Sequence, residues 1–160
     1  MPEKTTVLES DSFSFFVELE CSGCGAIYSF DDVHTFCPEC QSPLLARYDL
    51  KSVREHFDRD IFKDRPGGMW RWHELLPVKN PKNTVFLGEG DTALLQLSNL
   101  EKELGVSNLF VKDESSNPTG SFKARGLAAA VSRAKELGIK KVIIPTAGNA
   151  GGAMAAYAAR

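Results

Sequence analysis

Three groups of residues in this 160-residue chain have types and spacings that could do chemistry. Lys123 sits in "NPTGSFKARG" (117–126), behind a Pro-Thr-Gly turn and beside Phe122, where a helix is expected to start. A lysine that reacts with a carbonyl must shed its proton and hold a fixed position. The first turn of a helix disfavours the ammonium form, and its free N–H groups attract anions. A solvated side chain is the plainer reading of any single lysine at such a place. The second group is "PTAGNAGG" (145–152), where an apolar run ends and a helix begins. Open α/β sheets bind ligands at such junctions. Small side chains there expose backbone N–H groups to a carboxylate, and Asn149 adds an amide. The alternative is a glycine-rich turn with no ligand.

The third group is Cys21, Cys24, Cys37 and Cys40, two CxxC pairs joined by a short loop. Four thiolates so spaced can surround Zn²⁺ tetrahedrally, in a closed site that stabilises a fold and catalyses nothing. Reduced cysteines without a metal are the alternative. A redox CxxC is disfavoured because neither pair opens a helix. His34 lies beside a complete four-cysteine set and is read as a surface or packing residue.

These groups need elements to position them. "FSFFVELE", "AIYSF", "VHTF" and "PLLARYDL" read as short strands around the cysteine turns, giving a metal-clasped β unit over residues 1–50. Residues 51–83 contain Phe57, Phe62, Trp70 and Trp72, which argues against a disordered linker and for a packed connecting arm. From residue 84 strands and helices alternate. Ser98 and Glu101 suggest a capping box, and Leu97, Leu100 and Leu104 an apolar face closed by Gly105. "NLFVK" predicts a strand. Leu127, Ala130, Val131, Ala134 and Leu137 recur at helical spacing, and Gly138 ends that helix. "KKVIIPT" reads as a buried strand, and the Ala- and Gly-rich run after it as a helix suited to close packing. The order predicts the beginning of a parallel α/β sheet over 84–160. With only about two βα units laid down, the chain is expected to be the N-terminal piece of a longer protein.

Composition narrows the classes. The chain is 42% hydrophobic and 25% charged with a formal net charge of -2, an ordinary globular balance with no basic footprint for nucleic acid. The cysteine unit carries little excess basic charge either, so a scaffold or protein-partner role is favoured for it. No apolar run approaches a membrane span, and the N-terminus lacks the pattern of a secretory signal. The expected compartment is the cytoplasm, where paired thiols are more often metal ligands than disulfides.

"ESSNPTGSFKARGL" resembles the lysine signature of the fold type II (tryptophan-synthase-β-like) family of pyridoxal-phosphate enzymes, at Ser121, Phe122, Lys123, Arg125 and Gly126. "PTAGNAGG" is similar to that family's asparagine loop. With "LGEGDTALLQL" and the cysteine unit, the likeness is greatest to the threonine-synthase branch and runs from the ribbon to Arg160. The resemblance implies pyridoxal 5′-phosphate held covalently by Lys123, which is also the main acid–base group. It implies Asn149 on the cofactor's 3′-hydroxyl oxygen, and Thr146, Ala147, Gly148, Asn149 and Ala150 around the substrate carboxylate. Family members often carry Ser or Thr where this chain has Ala150. Glu89 and Thr92 match a substrate-side motif without an assigned role. The implied substrate is O-phosphohomoserine, converted with water to threonine and phosphate, in a protein that forms a homodimer when complete. The family's glycine-rich phosphate loop and pyridine-nitrogen partner have no counterpart here, so these residues alone are expected to be inactive. The rival readings are another fold type II enzyme, such as a serine/threonine dehydratase or a cysteate-synthase-like protein, and a non-catalytic zinc-ribbon interaction module.

Overall fold

A computed structural model describes residues 12–160; the first eleven residues of the expected β unit lie outside the described residues. Strand β1 (Phe16–Cys21) is the centre of a three-stranded antiparallel sheet, with β2 (Ile27–Tyr28) on one side and β3 (Leu44–Tyr48) on the other. "VHTF" forms no strand. The second cysteine turn follows it directly, with Cys37 N–H donating to Ser42 O at 2.9 Å and Gln41 N–H to Cys37 O at 2.8 Å.

Helix α1 (Leu50–His56) starts at Asp49, whose carboxylate accepts from the N–H groups of Lys51 and Ser52. Three 3-10 turns follow, at Arg59–Phe62, Met69–Leu75 and Pro81–Asn83. This arm is fastened at both ends. Toward the sheet, Phe15 N–H donates to Glu74 O at 3.0 Å and Ser14 Oγ to Leu76 O at 2.6 Å. Toward the second half, the Glu136 carboxylate accepts from Lys79 N–H at 3.0 Å and Asn80 N–H at 2.7 Å. Inside the arm, Glu74 is fully buried and held by the Arg65 fork. Burial pushes the Glu74 carboxyl up, and Arg65 overrides it, so the group stays below its ordinary value. The arm also touches the 88–92 loop backbone to backbone. Met69 N–H donates to Glu89 O at 2.8 Å. A Cβ on Gly90 would stand 2.5 Å from Met69 N, and one on Gly68 would stand 2.8 Å from the Phe86 ring; both glycines have positive φ.

In the second half, β4 (Leu94–Gln96), α2 (Ser98–Leu104) and β5 (Phe110–Lys112) form a small unit in which the two strands pair antiparallel. The capping box is absent: Ser98 is already helical, the cap position is Leu97, and no side chain caps it. Glu101 is committed elsewhere, accepting from Leu109 N–H at 2.7 Å and from the Gln96 amide. Leu100 and Leu104 are exposed and Leu97 is half-buried, so the expected apolar face of α2 is not buried in a core. Gly105 does close the helix, in the left-handed region.

Helix α3 (Lys123–Glu136) buries Ala124, Leu127, Ala128, Val131 and Ser132. That face is rotated slightly from the expected one, leaving Ala130 exposed. Helix α4 (Asn149–Ala159) packs on α3 through Ala153 and Tyr157, and the two share a core with Met69 and Val85. Small side chains on both helices let their axes approach.

The largest departure lies between them. "KKVIIPT" is not a strand: Ile143 is 97% exposed and only Ile144 reaches the core. A β-prone segment becomes a strand only where a neighbouring edge offers hydrogen bonds, and none does among the described residues. The expected parallel sheet is therefore not formed here, and the architecture is mixed α and β. No helix among the described residues is long and apolar enough to cross a membrane.

Candidate active site and metal centre

Lys123 is the first residue of α3. The chain reaches it through a 3-10 turn at Glu114–Ser116 and another at Pro118–Gly120, in which Thr119 and Gly120 both have positive φ. That reversal drives Ser121 inward and Phe122 outward: Ser121 is buried and Phe122 is exposed. The Lys123 amine lies 4.1 Å from the centre of the Phe122 ring, a cation–π contact. It has no ion pair or hydrogen bond among the described residues. The Ser121 hydroxyl, two residues before it, is buried without a partner. A free primary amine and an unsatisfied buried hydroxyl on one turn suit an aldehyde-bearing, polar ligand.

The lysine turn is anchored by a polar cluster. Arg125 Nε donates to Glu114 Oε2 at 2.6 Å and Nη2 to Oε1 at 2.7 Å. Thr92 Oγ1 donates to Glu114 Oε1 at 2.7 Å, and Asn117 Nδ2 to Oε2 at 2.8 Å. Asn117 Oδ1 accepts from Gly90 N–H at 3.1 Å. Paired Arg125, with help from Thr92, holds the Glu114 carboxyl down at about 2.

Asn149 opens α4 and is exposed, as are Thr146, Ala147 and Gly148 before it. The Thr146 side chain is used locally, where its Oγ1 accepts from Gly148 N–H at 3.0 Å and Gly151 N–H at 2.9 Å. One of the five residues expected around a carboxylate thus has its N–H already used. The N–H groups of Ala147, Asn149 and Ala150 have no acceptor among the described residues. Helix α4 packs against both α3 and the Pro118–Gly120 turn, so the asparagine helix and the lysine turn are neighbours.

Between the arm and α4 lies Glu89, fully buried. Its carboxylate accepts from Trp70 Nε1 at 2.9 Å, Leu87 N–H at 3.1 Å and Tyr157 Oη at 2.7 Å. Burial, then the Glu89 acceptor, pushes the Tyr157 phenol up. Sequence reasoning singled out Glu89 and Thr92 without a role, and missed Trp70, Glu114, Asn117 and Tyr157. The pairing of Glu114 with Arg125 had a signal: two opposite charges bracket the lysine motif.

The four cysteines meet. Their Sγ atoms all lie within 4.8 Å of one another, with Cys21 to Cys40 at 3.3 Å and Cys24 to Cys37 at 3.7 Å. Four sulfurs at about 2.3 Å from a central Zn²⁺ would stand roughly 3.8 Å apart in a tetrahedron, so the donor set and spacing fit that ion. Tyr28 donates to Cys37 Sγ at 3.1 Å and holds that thiol down to about 6. His34 leans on the Tyr28 ring, 5.1 Å between centres, as a packing residue.

Comparison with known proteins bears on the family. Residues 85–160 match the family model described as pyridoxal-phosphate dependent enzyme. The chain is 43% identical over 140 residues to the threonine synthase of Methanocaldococcus jannaschii, covering 88% of this chain and 34% of that protein. It is 38% identical over 142 residues to the threonine synthase of Methanosarcina acetivorans, with 89% and 34% covered. Against the threonine synthase of Halalkalibacterium halodurans the identity is 48% over 94 residues, covering 59% and 26%. The chain spans about a third of the length of the first two relatives. Residues 85–160 thus match the pyridoxal-phosphate-dependent enzymes, and the chain is similar there and in its N-terminal part to threonine synthases.

Proposed function

We propose that this chain forms the lysine-bearing part of a threonine synthase, which converts O-phospho-L-homoserine and water to L-threonine and phosphate. The observation that carries the reading is the unpaired Lys123 amine at a helix start, beside the helix that Asn149 opens. When bound, pyridoxal phosphate supplies an electron sink for carbanions at the substrate's carbons. Lys123 Nζ would hold the cofactor through its aldehyde, and the same amine is placed to take and return protons at the substrate. The Asn149 amide would donate to the cofactor's 3′-hydroxyl oxygen. The free N–H groups of Ala147, Asn149 and Ala150 orient the substrate carboxylate, and Thr146 keeps the loop open by binding the N–H groups of Gly148 and Gly151. The relatives named above carry the name of this enzyme, which favours it over a dehydratase on the same fold.

The test is made on the protein that carries this chain. It should release phosphate from O-phospho-L-homoserine with formation of threonine, and Lys123→Ala should abolish both turnover and the borohydride-stable pyridoxal adduct. A reducible adduct persisting at another lysine overturns the assignment.

The four cysteines hold one Zn²⁺ as a structural ion, supported by the sulfur spacing and by the Tyr28 donor to Cys37. Metal analysis should give about one zinc per chain. Freshly prepared protein with no zinc and four freely titrating thiols would refute it.

A further inference from the structure

The twelve residues from Glu114 to Arg125 form a loop whose two ends are joined side chain to side chain. The join is a two-point fork, Arg125 Nε and Nη2 on the two oxygens of one carboxylate, at 2.6 and 2.7 Å. A fork of this kind fixes direction as well as distance, because both guanidinium bonds must stay coplanar with the carboxylate. Within the loop, Asn117 folds back on Glu114 through its Nδ2. Outside it, Gly90 N–H reaches Asn117 Oδ1 and Thr92 Oγ1 reaches Glu114, so the closed loop is docked on residues 90–92. Thr119 adopts a left-handed φ of 66°, a conformation a non-glycine residue holds only where its surroundings impose it. Arg125 follows Lys123 with only Ala124 between them. Any freedom in the fork is therefore freedom in where the amine stands.

We propose that Glu114 and Arg125 are positioning residues for Lys123. They act through the loop: they close it, seat it on the 88–92 loop, and so set the place and direction of the Lys123 amine. The proposal rests on the reading of Lys123 as the cofactor-bearing lysine.

The experiment uses the protein that carries this chain and two variants of it. Glu114→Gln keeps the shape and removes the charge; Arg125→Lys keeps the charge and removes the fork. Each protein is treated with pyridoxal 5′-phosphate, reduced with borohydride and mapped by peptide mass, with exposed Lys102 on α2 as the internal reference. Amide hydrogen exchange is followed in parallel. In the wild type, Lys123 should label faster than Lys102. In both variants the ratio of Lys123 to Lys102 labelling should fall about tenfold or more, the scale set by small losses of reactive alignment. Exchange should quicken in residues 117–125 and stay unchanged at Leu127 to Val131, in the core of α3. An unchanged ratio in both variants overturns the proposal. A fall accompanied by lost protection throughout α3 also overturns it, since the pair would then merely support the helix. A wild-type ratio at or below one refutes the cofactor reading of Lys123. The closing of the loop is then decided by exchange alone, and unchanged exchange at 117–125 refutes it.

Discussion

The two loops that flank the candidate site are built on opposite principles. The lysine loop is closed on itself and docked: Glu114, Asn117 and Arg125 bond within it, and Gly90 and Thr92 bond to it from outside. The asparagine loop has one internal tie, Thr146 to Gly148 and Gly151, and its residues from 145 to 149 are exposed. The helix behind it, α4, is anchored at the far end, where Tyr157 meets Glu89. One loop is thus preorganised and the other is held mainly through its helix. A residue that makes a covalent bond must be in place before the ligand arrives. A set of N–H groups that receives a carboxylate can complete its order around the ligand.

The contrast should be disturbed most strongly at Glu89, which belongs to the asparagine side through Tyr157. Glu89→Ala leaves the Trp70 indole, the Tyr157 hydroxyl and the Leu87 N–H without an acceptor. The expected destabilisation is about 3 kcal/mol, roughly 1 kcal/mol for each orphaned donor. Urea unfolding measures it. Exchange should quicken in α4 before it does in 117–125, and equal acceleration in both would erase the distinction between the loops.

Acid should act on the lysine side. The Glu114 carboxyl is lowered in the folded chain to about 2, against about 4.3 for an unfolded Glu. A lowered carboxyl contributes stability that is complete above the unfolded value and is lost as pH falls through the folded one. Protection in residues 117–125 should therefore be level from neutrality to about pH 5 and decline between roughly pH 4.5 and 2. Glu114→Gln should flatten that decline. An identical acid profile in the variant would show that another carboxylate governs the loop.

The smallest expected effect is at Thr146. Thr146→Val keeps the shape and removes the acceptor for two N–H groups, at a cost of about 1 kcal/mol, in the range of a lost helix cap. Amide exchange at Gly148 and Gly151 should rise with no change around Lys123. If those two amides keep their rates, Thr146 does not hold the loop.

Much of the site was legible because its signals are local. Two CxxC pairs force four sulfurs to share a small volume once the turns fold, and they do. A Pro-Thr-Gly turn before Phe122 and Lys123 announces a helix start, and α3 begins at Lys123. Signals that depend on a distant partner failed. "KKVIIPT" has the composition of a strand, but composition cannot provide the edge it must pair with. Ser98 and Glu101 have capping-box spacing, yet the Glu101 carboxylate is taken by the Leu109 N–H. The Glu89 network joins residues 68 positions apart, and no periodicity records such a meeting. The Glu114–Arg125 fork spans only 11 positions. Opposite charges bracketing the lysine motif hinted at it, but a loop has no repeat that says which of its charges will face each other.

The backbone contact between Gly68 and Gly90 has a consequence for how this protein can vary. A Cβ on Gly90 would stand 2.5–2.8 Å from the backbone of Gly68 and Met69, so even a methyl group there would wedge the arm away from the 88–92 loop. The hydrogen bond from Met69 to the Glu89 carbonyl would open with it. A Cβ on Gly68 would press the Phe86 ring at 2.8 Å and crowd Glu89 O at 3.1 Å, at a positive φ. A saturation library selected for folding should retain almost nothing but glycine at both positions, while the neighbouring exposed Gly67 and Gly88 differ. A Cβ at Gly67 meets only the movable Asp91 carboxylate, and one at Gly88 meets open space, though with a strained φ. Two hydrogen atoms, one on each Cα, are the spacer on which the seating of the whole site depends.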